Sequence, residues 1–160
     1  MTDIRIVRDY PHPPAKVWRA LTDPNLIALW AMRPEGFAAV VGNRSRFYAK
    51  PGPGWRGFVD CEVLEVREGE LLRYSWVGND GDKPTYVTYR LEARAGGTRL
   101  VFEHAGFEGV RGFMLATLMM GPGWRKMFKT TFGTVLADLD ERGTLRLGST
   151  LVPKFPATAP

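Results

Sequence analysis

Cysteine is nearly missing from this sequence: Cys61 stands alone among 160 residues. A single thiol excludes an intrachain disulfide and a cysteine-based zinc site. Histidine is almost as scarce, with His12 and His104 far apart, so nothing in the sequence asks for a transition metal or a cofactor. No apolar run approaches the ~18–20 residues that span a bilayer. The opening residues, MTDIRIVRDY, lack the apolar stretch of a signal peptide, so a cytoplasmic chain without membrane insertion is expected. Long basic runs are missing too. The 22 lysines and arginines are scattered, and no RNP-type or zinc-finger signature is present. A net charge of +5 therefore does not by itself make nucleic acid a partner.

Apolar patterning is what the sequence has. Hydrophobic residues make up 44% and charged residues 24%, a soluble composition on a length that suits one domain with a sizeable core. The expected division is one domain over 1–143 and a Pro/Thr-rich tail over 144–160. Ile4–Tyr10 alternates as a first strand. Pro14 suits the first turn of a helix that carries Val17, Trp18 and Leu21 on one face. Asp23 caps and Pro24 opens a second short helix through Leu26, Ile27 and Trp30, ended by Pro34–Glu35–Gly36.

Six further strands are expected: Phe37–Val41, Arg44–Ala49, Gly57–Val66, Leu71–Val77, Thr85–Ala93 and Thr98–His104. Glycine- and proline-bearing turns separate them. No helix-length segment intervenes, so the strands form an antiparallel meander. The stretch EGVRGFMLATLMMGPG reads as a connection with at most a short irregular helix. From Trp124 the spacing of Phe128, Thr131, Phe132, Val135 and Leu139 predicts the longest helix, stopped at Gly143. That helix is the only element large enough to cover the apolar face of the sheet.

The segments PPAKVWRALTDPNLIALW, GWRGFVDCEVLEVREGELLRYSW, TYVTYRLEARAGGTRLVFEHAGF and GPGW resemble the SRPBCC (START/Bet v 1-like) superfamily. Within it the sequence is most similar to the family of homologues of the heat-shock-protein-90 ATPase activator. The resemblance covers roughly residues 4–141. It implies an α+β helix-grip fold, with a curved antiparallel sheet of about six to seven strands wrapped around the C-terminal helix and a hydrophobic tunnel between them. Relatives in the superfamily bind lipids, sterols, polyketides or hormones, and some are aromatase/cyclases, dehydratases or chaperone activators. A counterpart of the extra N-terminal domain of the eukaryotic chaperone activators is not expected, and the resemblance does not imply a chaperone role.

Against that fold, the inward positions are aromatic. Trp30, Tyr74, Trp76, Tyr89, Phe102, Phe107, Trp124, Phe128 and Phe132 either pack as a core or line a cavity for a small apolar ligand. Met114, Met119, Met120 and Met127 suit an adaptable lining near the tunnel mouth. His104 follows Leu100 and Phe102 on one strand face. It is either a structural hydrogen-bonding residue or a polar ligand contact, and no inward acid stands beside it to make a catalytic base. His12 is expected to face solvent. The candidate ligand-binding set is thus Trp30, Tyr74, Trp76, Tyr89, Phe102, His104, Phe107, Met119, Trp124, Phe128 and Phe132, with no catalytic and no metal residue.

Glu62, Glu65, Glu92 and Glu103 read as solvated sheet-face residues. Ser45, Ser75 and Ser149 carry no nucleophile elbow. Gly52, Gly54 and Gly57 precede no helix and make no phosphate loop. Arg125, Lys126 and Lys129 near the expected helix start, with Asp138, Asp140 and Glu141 at its end, oppose the helix dipole. Two readings follow: pairing of the cations with the nearby Phe107–Glu108–Gly109 connection, or an anionic ligand head group at the helix N-terminus.

The favoured function is a small-molecule binding protein for a hydrophobic or amphipathic ligand. A cyclase- or dehydratase-type enzyme using His104, Tyr74 or Tyr89, and a stress-response protein with a chaperone partner, stay open, as does a homodimer.

Overall fold

The computed structural model describes residues 2–157. Strand β1 (Thr2–Tyr10) leads to helices α1 (Pro14–Thr22) and α2 (Pro24–Trp30). Six strands follow: β2 (Arg33–Glu35), β3 (Arg44–Tyr48), β4 (Phe58–Arg67), β5 (Leu71–Trp76), β6 (Thr85–Arg94) and β7 (Gly97–Phe107). One continuous helix, α3, spans 109–137. The strands form one seven-stranded antiparallel sheet in the order β1-β7-β6-β5-β4-β3-β2. The first strand pairs with the last, Ile4 opposite His104 and Ile6 opposite Phe102, and the rest is a meander. This is the helix-grip architecture.

Period-two alternation sets the faces. Val59, Cys61 and Val63 of β4, Val87, Tyr89 and Leu91 of β6, and Leu100, Phe102 and His104 of β7 are buried under the helices. The outer face is charged. There Arg5 pairs with Glu103, Arg44 with Glu62, Arg67 with Glu65 and Arg94 with Glu92, exposed pairs that add little stability. A one-residue irregularity between Val63 and Glu65 interrupts the β4–β5 register, and such bulges sharpen the bend of a strand. Gly97, at the β6–β7 turn, lies close against the end of β1: any Cβ there would run into the Tyr10 carbonyl oxygen.

Four expectations change. Phe37–Val41 is not a strand; β2 lies earlier, at Arg33–Glu35. Pro34 sits within that short edge strand rather than ending α2, a place where its missing N–H is tolerated. Phe37 is still buried, by packing on Phe47 and Tyr74.

Helix α3 begins at Gly109, not Trp124. The Gly121–Pro122–Gly123 triplet reads as a break because proline removes a donor and its ring strikes the preceding turn. The chain instead widens that turn to π geometry over Leu115–Met120, so that the Gly121 N–H reaches back to the Ala116 carbonyl. A second π turn follows at Met127–Thr131. Widened turns relieve the crowding that an α-turn would impose at the proline.

The longer helix also removes the basic half of the expected clash with the helix dipole. Arg125, Lys126 and Lys129 lie in the middle of α3, and Asp138 lies at its end, bonded to the Ser149 hydroxyl. Asp140 instead accepts from the Arg142 and Thr144 backbone N–H groups in the turn that follows. Glu108, the expected partner of the cations, pairs with Lys83 at 3.2 Å. The anionic head-group reading therefore loses its site.

The two halves of α3 do different work. Trp124, Phe128, Phe132, Val135 and Leu136 of the second half are buried against the sheet and α2. In the first half, Val110, Phe113, Met114, Leu118 and Met119 stay exposed. Past the helix, Gly143 adopts φ 80° where a Cβ would come within 2.7 Å of the Arg19 side chain. The chain then runs back over the helices. Leu145 and Leu151 pack on the core, and the Lys154 N–H bonds the Ala28 carbonyl at 3.1 Å.

Candidate functional site

Where the first half of α3 departs from the sheet, it leaves a cavity of about 910 Å³. Its inner wall is built by α2 (Ile27, Trp30), by Phe37 and Phe47, and by Val59, Tyr74 and Tyr89 of the sheet. Met114, Met119, Met120 and Met127 of α3 line the opposite side. Four of the five tryptophans face this space: Trp30, Trp55, Trp76 and Trp124. Among the described residues, its only charged lining residues are Asp82 and Arg111, both exposed to solvent. The volume suits a drug-sized molecule, and an apolar wall with few polar groups is the usual make-up of such sites.

Of the eleven candidate residues, six line the cavity: Trp30, Tyr74, Trp76, Tyr89, Met119 and Trp124. The other five form the layer behind it. Phe102, Phe128 and Phe132 are fully buried and stack on one another and on Trp30 and Trp124. Phe107 packs on the His104 ring, 4.7 Å between centroids.

His104 sits in that second layer, fully buried. The indole N–H of Trp124 can only donate, and it points at His104 Nδ1 from 3.1 Å. Nδ1 therefore accepts, the ring proton sits on Nε2, and Nε2–H donates to Thr85 Oγ1 at 2.7 Å. Thr85 passes its own hydrogen to the Trp76 carbonyl at 3.3 Å. Both ring nitrogens are spent. Burial holds the imidazole pKa down at about 3, so the ring is neutral at physiological pH. With no free nitrogen and no carboxylate partner, His104 is a strut that ties α3 to β6 and β7.

His12 is only half-exposed. Its Nδ1 accepts from the buried Lys16 ammonium at 3.0 Å, and partial burial together with that charge lowers its pKa.

Tyr74 and Tyr89 are the polar groups of the inner wall. Their hydroxyls lie 3.0 Å apart, and burial raises both pKa values. Both phenols stay protonated at any ordinary pH.

Residues 11–137 match the family of Activator of Hsp90 ATPase homolog 1-like proteins. The chain belongs to that family. No curated protein matches the sequence. Among solved structures, MLL2253 from Mesorhizobium loti is 33% identical, with 86% of this chain and 98% of that one aligned at a TM-score of 0.73. DynU16, from the dynemicin biosynthetic locus, is 24% identical over 86% of this chain and 48% of its own, with a TM-score of 0.71. The Aha1 dimer from Colwellia psychrerythraea is 22% identical over 81% of this chain and 92% of its own, with a TM-score of 0.66.

In this Hsp90-activator-homologue chain the rim is made by two loops that the sequence shows only as turns. The Trp55 indole donates to the Gly78 carbonyl at 3.1 Å, and Asn79 Nδ2 donates to the Gly54 carbonyl at 3.1 Å. Arg56 stitches the same loops, donating to the Val77 and Gly78 carbonyls and to Asp60 and Asp80. Phe37, Phe47, Trp55, Asn79, Asp82 and Arg111 are thus cavity residues that patterning missed. A Trp within a proline- and glycine-rich turn was the one available signal. Among the described residues, no helix is long and apolar enough to cross a membrane.

Proposed function

We propose that this protein binds a small, largely apolar molecule in the space between its sheet and its C-terminal helix. The observation that carries this is the cavity itself: about 910 Å³, walled by aromatics and methionines and wide enough to hold a ligand. An interior evolved only for stability is filled to crystal-like density. DynU16, a structural neighbour, comes from a biosynthetic locus, which accords with a small-molecule role.

Val110 and Leu118 at the cavity edge, and Phe113 near them on α3, are exposed apolar residues that favour a second contact, with another copy of the chain. The Colwellia Aha1 neighbour is a dimer.

Native mass spectrometry with the neutral probe N-phenyl-1-naphthylamine tests both readings. The expected result is a saturable adduct of one probe per chain and a dimer population that grows with protein concentration. A chain that stays at its bare mass at every probe concentration refutes the binding reading. Strictly monomeric spectra refute the self-association.

A further inference from the structure

The Tyr74–Tyr89 pair has one hydroxyl hydrogen too many. Two phenols carry two O–H donors, and only one is spent between the oxygens at 3.0 Å. Among the described residues, neither hydroxyl has another hydrogen-bond partner. The neighbouring Phe37 and Phe47 rings contact Tyr74, and the Phe102 and Phe128 rings contact Tyr89. None of them offers an acceptor. Both tyrosines are more than nine-tenths buried, and both line the cavity. The buried Cys61 thiol lies near both phenols but makes no hydrogen bond to either. An unspent buried donor costs about 1–3 kcal/mol, and the cavity that both tyrosines line gives an acceptor a way to reach it.

The charge around the pair limits what that acceptor can be. Among the described residues, the only charged groups on the cavity wall are Asp82 and Arg111, and both are exposed to solvent. An anion or a cation at the inner wall would be buried without a counter-charge, which is far more costly than burying a neutral oxygen. Burial keeps both phenols un-ionised, so they offer a neutral donor throughout the physiological range.

Resting on the cavity reading above, we infer that the ligand is a neutral molecule with an apolar, ring-sized body and an oxygen acceptor, such as a ketone or other carbonyl, which takes the free hydrogen of the Tyr74–Tyr89 pair. The acceptor enters first and the apolar body lies against Trp30, Trp76 and the α3 methionines.

Three probes of similar size separate the possibilities: 2-acetonaphthone, its hydrocarbon analogue 2-isopropenylnaphthalene, and the anion 2-naphthoate. Tryptophan quenching titrations are run on the wild type and on the Tyr74→Phe/Tyr89→Phe double variant, which keeps both rings; thermal melts check that it folds. Removing the hydroxyls is expected to weaken the ketone about tenfold, the scale of one good hydrogen bond, and to leave the hydrocarbon unchanged or tighter. On the wild type, naphthoate is expected to bind at least about tenfold more weakly than the ketone. A double variant that holds the ketone as the wild type does overturns this inference alone. So does a naphthoate that binds as tightly as the ketone. If the wild type binds neither neutral probe, the cavity reading falls and takes this inference with it.

Discussion

Replacing His104 with leucine is expected to cost about 2–3 kcal/mol of folding stability at pH 8, and almost nothing near pH 4.5. The first number comes from the hydrogen bonds. Leucine leaves the Trp124 indole N–H buried without its acceptor and takes away the donor that Thr85 accepts, and one orphaned buried donor costs about 1–3 kcal/mol. The second comes from linkage. Unfolding returns the imidazole from about 3 to its ordinary 6.5. A base with a depressed folded pKa contributes its full stability above the unfolded pKa. As pH falls below 6.5 the unfolded chain takes up a proton that the folded chain refuses. Stability is then lost at about 1.4 kcal/mol per pH unit until the folded group titrates. The leucine variant has no such loss, so the two stability curves converge on the acid side. Urea melts of both proteins between pH 8 and pH 4.5 measure the gap. A gap that stays constant with pH would show that His104 is not buried neutral, and the strut described above would be wrong.

Phe128→Ala is expected to be still more damaging, at roughly 3–5 kcal/mol. Phe128 is 1% exposed. It meets Trp30, Tyr89, Phe102, Trp124 and Phe132, stacking on Trp124 at an interplanar angle of 12°. Its carbonyl also receives the Tyr10 hydroxyl at 2.7 Å, which ties the helix to the first strand; alanine keeps that bond, so the loss measures packing alone. For a domain of this size each kcal/mol moves the melting temperature by about 2–4 °C. A fall of about 6 °C or more is therefore expected in a thermal scan. A fall under about 2 °C would mean that the space behind the cavity wall collapses easily and that the aromatic layer does not hold the wall in place.

Both residues were visible in the sequence, but their roles were not. The period-two alternation of β7 put His104 on the inner face with Leu100 and Phe102. It could not show that Trp124, twenty residues on, would cap the ring and close it off from the cavity. The three-and-four spacing from Trp124 through Phe132 revealed the buried half of α3, because burial is what imposes that period. The other half, 109–123, is exposed apolar surface and cavity wall together, so its apolar residues do not repeat on one face. With Gly121, Pro122 and Gly123 in the middle, that half reads as a loop. The rim escaped notice for a similar reason. Trp55, Asn79 and Arg56 meet through backbone carbonyls of another loop, and a contact between two irregular segments leaves no periodic trace. The family resemblance supplied the missing geometry: a long helix gripped by the sheet, with space between them.

The central claim is that this space takes a ligand, and Gly123 gives direct access to it. Gly123 lines the cavity from α3, and a Cβ added there meets no atom within 4 Å. The backbone there accepts a Cβ without a contact, phenylalanine is expected to put its ring into the space that Gly123 lines, and losing a helix-interior glycine is mildly favourable. The decisive measurement is a titration of N-phenyl-1-naphthylamine into wild-type and Gly123→Phe protein, followed through the four cavity tryptophans. The expected result is saturable quenching in the wild type, and at least tenfold weaker binding in a variant whose melting temperature is no lower. Equal binding by the two proteins, or no saturable binding by the wild type, would contradict the account.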